Sequence, residues 1–197
     1  MLLNTLLKEL CFISLSFNYF FFRVIIMTME NQKNLTIYLA GGCFWGVEAY
    51  YQQLKGVIET EVGYANGDSE NPSYEDLVSH RANHAETVKV IFDGEIITLV
   101  KILEHFLRII DPYSLNRQGN DVGIQYRSGV YYVNDNDRDV IKQYFDSQNF
   151  SSRPFAIEVI KLKNFYKAED YHQDYLIKNP YGYCHVDMRK IRKEERK

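Results

Sequence analysis

The residues with the most chemical potential in this chain stand together, at Gly41-Gly42-Cys43-Phe44-Trp45-Gly46. A strand-like run, Asn34 to Ala40, leads into two glycines, and an amphipathic segment then begins with the cysteine. Such a turn puts Cys43 at a helix N-terminus, where unpaired backbone N–H groups and the positive end of the helix dipole favour an anion. The expectation is a thiol of lowered pKa and a nucleophilic thiolate at neutral pH. Trp45, the only tryptophan, and Phe44 would form an aromatic wall beside the sulfur. A lone cysteine in a strand-to-helix turn is more often a small buried hydrophobe. The flanking glycines, which let a ligand approach the backbone closely, tip the reading toward chemistry.

A sulfur nucleophile needs an acid or base nearby. Glu86 opens an alternating strand, Glu86 to Phe92, and shares a face with Val88, Val90 and Phe92. A carboxyl in that apolar setting loses hydration, rises in pKa and can keep a proton for donation near pH 7. His84, two residues earlier, is a rival base. Tyr74 and Tyr126 are phenols in or beside irregular segments, able to hydrogen-bond an oxygen that gains negative charge. Asp121, within Gly119-Asn120-Asp121-Val122-Gly123, reads first as a turn carboxylate. Cys184 lies in a polar, glycine- and tyrosine-bearing C-terminal segment that could swing toward Cys43, as a resolving thiol must. Three classes stay open on these residues alone: redox chemistry at sulfur, a cysteine hydrolase or acyltransferase with Cys43 activated by His84 or His172, and a non-catalytic peptide-binding module floored by Trp45.

Several elements would position these groups. A helix follows Cys43, with Phe44, Val47, Tyr51 and Leu54 at helical spacing and Gly56 as its stop. Val57 to Ala65 alternates as a strand and ends at Asn66-Gly67-Asp68. A short helix opens at Pro72, and Thr98 caps another that Asp111-Pro112 ends. Residues 113–128 form a long polar loop. A strand at Val130 to Val133, a helix at Asp135 to Ser147, a strand at Ala156 to Leu162 and a last helix at Ala168 to Lys178 complete the series. Irregular alternation without repeats indicates an α+β fold, a mixed sheet with helices packed against it. The glycine pair does not continue as a dinucleotide or P-loop motif.

With 197 residues and 46% hydrophobic content the chain can bury one proper core. A net charge of −3 gives no basic field, so nucleic acid is not expected as a partner. Three cysteines, Cys11, Cys43 and Cys184, form neither an even disulfide framework nor a metal-ligand spacing, which fits a cytoplasmic thiol protein without a metal. Residues 1–29 are strongly apolar between Leu10 and Met27 but carry Asn18 and Arg23, which makes a poor spanning helix. They read as an N-terminal extension outside the functional chain, with Met27 or Met29 as its start and a weak membrane anchor as the other possibility. Residues 30–186 are expected to form the domain, and 187–197 a solvated charged tail.

Together these residues resemble the peptide methionine sulfoxide reductase A family. The matching blocks are Gly41-Gly42-Cys43-Phe44-Trp45-Gly46-Val47-Glu48, Val62-Gly63-Tyr64-Ala65 with Asn71-Pro72-Ser73-Tyr74, His84-Ala85-Glu86, Asn116 to Gly123 with Gln125-Tyr126-Arg127-Ser128, Tyr171-His172-Gln173-Asp174-Tyr175-Leu176, and Gly182-Tyr183-Cys184-His185. The resemblance implies a two-layer α/β sandwich around a mixed sheet, with a ferredoxin-like core. It also implies a monomer that reduces the S epimer of methionine sulfoxide, free or in oxidised proteins and peptides, without a cofactor. Cys43 would attack the sulfoxide sulfur, Glu86 protonate the oxygen, and Tyr74 and Tyr126 hydrogen-bond it. Phe44 and Trp45 would hold the substrate methyl, and Asp121 would order the pocket. Cys184 would resolve the Cys43 sulfenic acid to a disulfide that thioredoxin reduces.

Overall fold

The computed structural model describes residues 34–149 and 151–197; the extension expected at 1–29 lies outside the described residues. The first strand, β1 (Asn34–Gly41), is followed by α1 (Phe44–Gln52), β2 (Val57–Ala65), α2 (Tyr74–Val78), β3 (Ala85–Asp93) and α3 (Leu99–Ile109). A small hairpin, β4 (Arg117–Gln118) with β5 (Asp121–Val122), and a 3-10 turn at Ile124–Tyr126 break up the long loop. Then come β6 (Ser128–Tyr132), α4 (Asp135–Gln148), β7 (Ile157–Lys161), β8 (Phe165–Lys167) and α5 (Tyr175–Lys178). Six strands form one mixed sheet in the order β7-β6-β1-β3-β2-β8, with β6 and β7 parallel and β1–β6, β2–β3 and β2–β8 antiparallel. The fold is therefore α+β around a mixed sheet, as the alternation predicts.

Strand periodicity decides which residues meet the helices. Ile37 and Leu39, Val62 and Tyr64, Val88, Val90 and Phe92, and Val130 and Tyr132 all enter the main core with Phe44, Val47, Tyr50, Tyr51 and Leu54 of the α1 segment and Ile102, Leu103 and Phe106 of α3. Residues of opposite parity, Ala40, Ala65, Ala85 and Tyr131, form a smaller cluster on the other face. Two tyrosines tie α1 to α3: the Tyr51 hydroxyl donates to the Ile102 carbonyl at 2.8 Å, and the Tyr50 hydroxyl pairs with His105 Nδ1 at 2.9 Å. Buried phenols are thereby paired rather than stranded.

Two expectations need correction. The helix expected over Ala168 to Lys178 exists only as α5. Upstream of it Gln173 turns inward, its Oε1 accepting from the Val62 N–H at 3.0 Å and its Nε2 donating to the Val62 carbonyl at 2.9 Å, while Asp174 takes a left-handed φ of 54°. Satisfying a buried strand edge outweighs local helix propensity here. The tail at 187–197 is likewise docked on the domain rather than free in solvent, although most of its charged side chains stay exposed. Ile191 is 4% exposed, Glu195 pairs with Arg108 at 2.7 Å and Lys101 at 3.3 Å, and the Lys197 N–H donates to the Gln53 carbonyl at 2.9 Å.

Candidate active site

Three strand ends meet where β1 runs out. Gly41 pairs with Ser128, so the residues just before β6, including Tyr126, lie beside the turn that leads to Cys43. At the start of β3, Glu86 pairs across the ladder with Tyr64. Gly42 makes the turn with φ +85°, and a Cβ there would lie 2.6 Å from Gln118 Cβ, so only glycine fits. Gln118 itself is buried and fixed by three contacts: it accepts from the Asp111 N–H and donates to the Asp111 carbonyl, each at 2.8 Å, and donates to Ser128 Oγ at 3.0 Å.

Cys43 is the N-cap of α1 and Phe44 its first residue. The orphan amides of that first turn are shared out between two groups. The Phe44 N–H donates to Glu86 Oε2 at 3.1 Å, and the Trp45 N–H serves the Cys43 sulfur. The lowered thiol pKa expected for a helix N-terminus is nevertheless overturned. Cys43 is only 7% exposed, and burial, followed by the Glu86 charge, drives its pKa well above the ordinary thiol value; the Trp45 amide offsets only part of this. Glu86, 2% exposed, is pushed up to about 8 by burial, with the Phe44 amide acting against and the Asp121 charge adding to it. Near pH 7 the site thus holds a neutral thiol beside a mostly protonated carboxyl.

Tyr74 and Tyr126 belong to the same electrostatic cluster. Both phenols are raised, first by burial and then by the Glu86 charge, Cys43 contributing to each, and the Tyr126 phenol interacts directly with that of Tyr74. Both remain hydrogen-bond donors across the physiological range. Asp121 Oδ2 accepts from the Tyr183 hydroxyl at 3.0 Å and lies 3.9 Å from His185 Nδ1. The His185 Nε2 pairs with the Gly41 carbonyl at 3.0 Å, which ties the Cys184 neighbourhood to the same turn.

Phe44 is buried and packs against Tyr64 with centroids 6.0 Å apart, whereas Trp45 keeps part of its indole at the surface. Tyr175 stacks on Trp45 at 3.7 Å and 12°. Cys184, half-buried, is packed over α1: a Cβ on Gly46 would come within 3.1 Å of its sulfur. Cys43 and Gly46 are one turn apart on the same face of α1, and the Cys184 charge is felt at Cys43. Rather than swinging freely, the second thiol is docked, with its Sγ donating to the Val186 carbonyl at 3.3 Å.

Neither histidine named as an alternative base serves Cys43. His84 is buried against Tyr166 and the Gly67 turn and responds to Arg127, Asp68 and Lys163. His172 Nδ1 accepts instead from the Trp45 indole N–H at 3.1 Å. Sequence reasoning missed this role, and it missed Glu169, whose carboxylate accepts from the Tyr64 hydroxyl at 2.7 Å and the Tyr74 N–H at 2.9 Å. The density of chemistry-bearing residues in Glu169-Asp170-Tyr171-His172-Gln173-Asp174-Tyr175 was the available signal; reading the stretch as an ordinary helix hid it.

The family model described as peptide methionine sulfoxide reductase matches residues 35–197. The peptide methionine sulfoxide reductase MsrA of Ureaplasma parvum serovar 3 is 50% identical over 162 residues, covering 82% of this chain and 98% of that protein. The MsrA of Ureaplasma urealyticum serovar 10 is 53% identical over 154 residues, covering 78% and 93%. Among solved structures, Mxr1 from Saccharomyces cerevisiae in reduced form superposes with a TM-score of 0.75 at 36% identity, covering 79% of this chain and 92% of that one. A structure of Mxr1 in complex with Trx2 matches with a TM-score of 0.52 at 28% identity, covering 73% and 86%. A family model spanning most of the chain and relatives at half identity agree with a site built around one buried thiol and one protonated carboxyl: the chain belongs to the peptide methionine sulfoxide reductase family.

Proposed function

We propose that this chain reduces methionine S-sulfoxide, free or in oxidised proteins, with Cys43 as nucleophile and Glu86 as proton donor. The observation that carries the reading is the division of one helix N-terminus between these two groups, which holds a sulfur and a proton side by side. The Cys43 sulfur attacks the sulfoxide sulfur, forming an S–S bond, while Glu86 protonates the sulfoxide oxygen and takes up the thiol proton in exchange, so the carboxyl ends protonated as it began. Tyr74 and Tyr126 donate hydrogen bonds to that oxygen as negative charge develops. The hydroxyl then passes from the substrate sulfur to Cys43 as the S–S bond breaks, so that Cys43 is left as a sulfenic acid and methionine leaves reduced by two electrons. Phe44 and Trp45 receive the methyl group, and Asp121 orders the pocket edge through Tyr183.

Cys184 then condenses with the sulfenic acid, forming a disulfide and releasing water. Thioredoxin or another dithiol restores both thiols by exchange; the Mxr1 complex with Trx2 supports this partner. A monomeric cytoplasmic enzyme with no cofactor is the simplest form of the reading, and no helix among the described residues is long and apolar enough to cross a membrane. The central order β6-β1-β3-β2, with α1 after β1 and α3 after β3, supports a ferredoxin-like βαββαβ core.

Turnover of resolved sulfoxide diastereomers of an acetylated methionine amide tests the proposal. Dithiothreitol-driven reduction of the S epimer alone, lost in Cys43→Ser, is the expected result. Ester cleavage without reductant would point instead to a hydrolase. In Cys184→Ser one equivalent of methionine should still form, while thioredoxin-driven cycling should collapse.

A further inference from the structure

The Trp45 indole is held from two directions, stacked on Tyr175 at 3.7 Å and hydrogen-bonded through its Nε1–H to His172 Nδ1 at 3.1 Å. The His172 ring is buried, with Tyr171, Tyr74, Phe44 and Trp45 around it at centroid distances of 4.2, 4.7, 5.2 and 5.6 Å. To accept at Nδ1 the imidazole must be neutral and carry its proton on Nε2. Nε2 is buried without a hydrogen-bond partner, and the nearest carboxylate, Glu169 Oε2, lies 4.0 Å away. Burial keeps His172 below the usual imidazole pKa, with Glu169 acting against it, so the neutral form prevails.

Glu169 joins this arrangement to the opposite wall of the site. Its other contacts are the Tyr64 hydroxyl and the Tyr74 N–H at the start of α2. One carboxylate therefore anchors the main chain of the tyrosine assigned to the sulfoxide oxygen and faces the histidine that fixes the indole assigned to the methyl group. Oxygen and methyl are the two substituents by which the epimers at a sulfoxide sulfur are told apart, so their relative placement decides which epimer fits.

We propose that His172, in its Nε2–H tautomer and backed by Glu169, is a positioning residue that fixes the Trp45 indole against Tyr74 and so sets substrate affinity and epimer selectivity. The proposal rests on the reading that Trp45 lines the pocket. His172 touches no reacting atom; it acts through the indole.

The single tryptophan makes the test direct, because one indole N–H resonance reports on this bond. In the parent enzyme that proton should exchange slowly with solvent. His172→Phe, which keeps a ring but offers no acceptor, should shift the resonance, hasten its exchange, and raise KM for the S-sulfoxide about threefold to tenfold, the range one buried hydrogen bond supports, with a smaller change in kcat. His172→Asn, whose amide oxygen falls near the Nδ1 position, should restore both. Rapid exchange in the parent enzyme would overturn the proposal without any variant. So would an unmoved resonance in His172→Phe, or a His172→Asn protein that behaves like it. A Trp45→Leu protein with unchanged KM would instead remove the pocket reading itself, and this outcome is distinguishable from the others.

Discussion

Cys43 and Cys184 pack on the same side of α1, yet they are held by different means. Cys43 follows a glycine turn that admits no side chain, caps a helix, and shares that helix's amides with Glu86. Cys184 lies in irregular chain and is kept in place by a few polar tethers, Tyr183 to Asp121 and His185 to Gly41, with Val186 as a buried plug. It also lines an apolar groove of about 500 Å³ with Leu176, Pro180 and Met188. The difference matches the work proposed for each. A nucleophile gains from a fixed geometry, because misplacement is costly at the reacting centre. A resolving thiol has to be released after the first step, so its restraints are individually weak.

The largest effect that would break this contrast is at the rigid end. Glu86→Gln should slow sulfoxide reduction by about two to four orders of magnitude in single-turnover measurements, the usual contribution of general acid catalysis. A change below about threefold would remove Glu86 from the mechanism. In the parent, kcat/KM should fall as pH rises through about 8, where Glu86 loses its proton.

The same substitution should have the opposite sign in stability. Glu86 keeps its proton up to about pH 8 when folded but loses it near 4.5 when unfolded. The folded state thus binds more protons between those values, and its stability falls as pH rises across that window. Glu86→Gln should therefore be more stable than the parent by up to about 5 kcal/mol above pH 8, with the gain vanishing toward pH 4.5. Urea denaturation at several pH values checks this.

Gly42→Ala tests the turn directly. A positive φ and the Gln118 contact should cost about 1–3 kcal/mol in urea unfolding, with activity falling further than folded fraction accounts for. The smallest expected effect is at the weakly held end. Tyr183→Phe removes one tether of the Cys184 segment and should leave single turnover within about twofold, costing roughly 1 kcal/mol or less of local stability. Faster amide exchange confined to residues 182–186 would sharpen the contrast; global destabilisation would break it.

How far the sequence carried the reading depends on range. The β1-turn-α1 unit and the strand bearing Glu86 follow from spacing within about ten residues, and the structure has both where periodicity puts them. What failed was set by partners far along the chain. A helix N-terminus lowers a thiol pKa by a local rule, but the burial that reverses it at Cys43 comes from tertiary packing. Gln173 looks helical until Val62 supplies its competitor, and Asp174 until Glu48 accepts from its N–H. The charged run after Arg189 reads as solvated because nothing nearby in sequence says that Arg108 and Lys101 await Glu195.

That docked terminal segment has a consequence for biosynthesis. A ribosome delivers residues 188–197 after everything they brace, so Lys55, Gln53 and Arg108 meet Glu195 and Lys197 only then. The nascent polypeptide can pair β1 with β3 early, but the platform under α1 is completed only on emergence from the exit tunnel. The C-terminal end of α1, opposite the reactive sulfur, is thereby the last part of the helix to be braced.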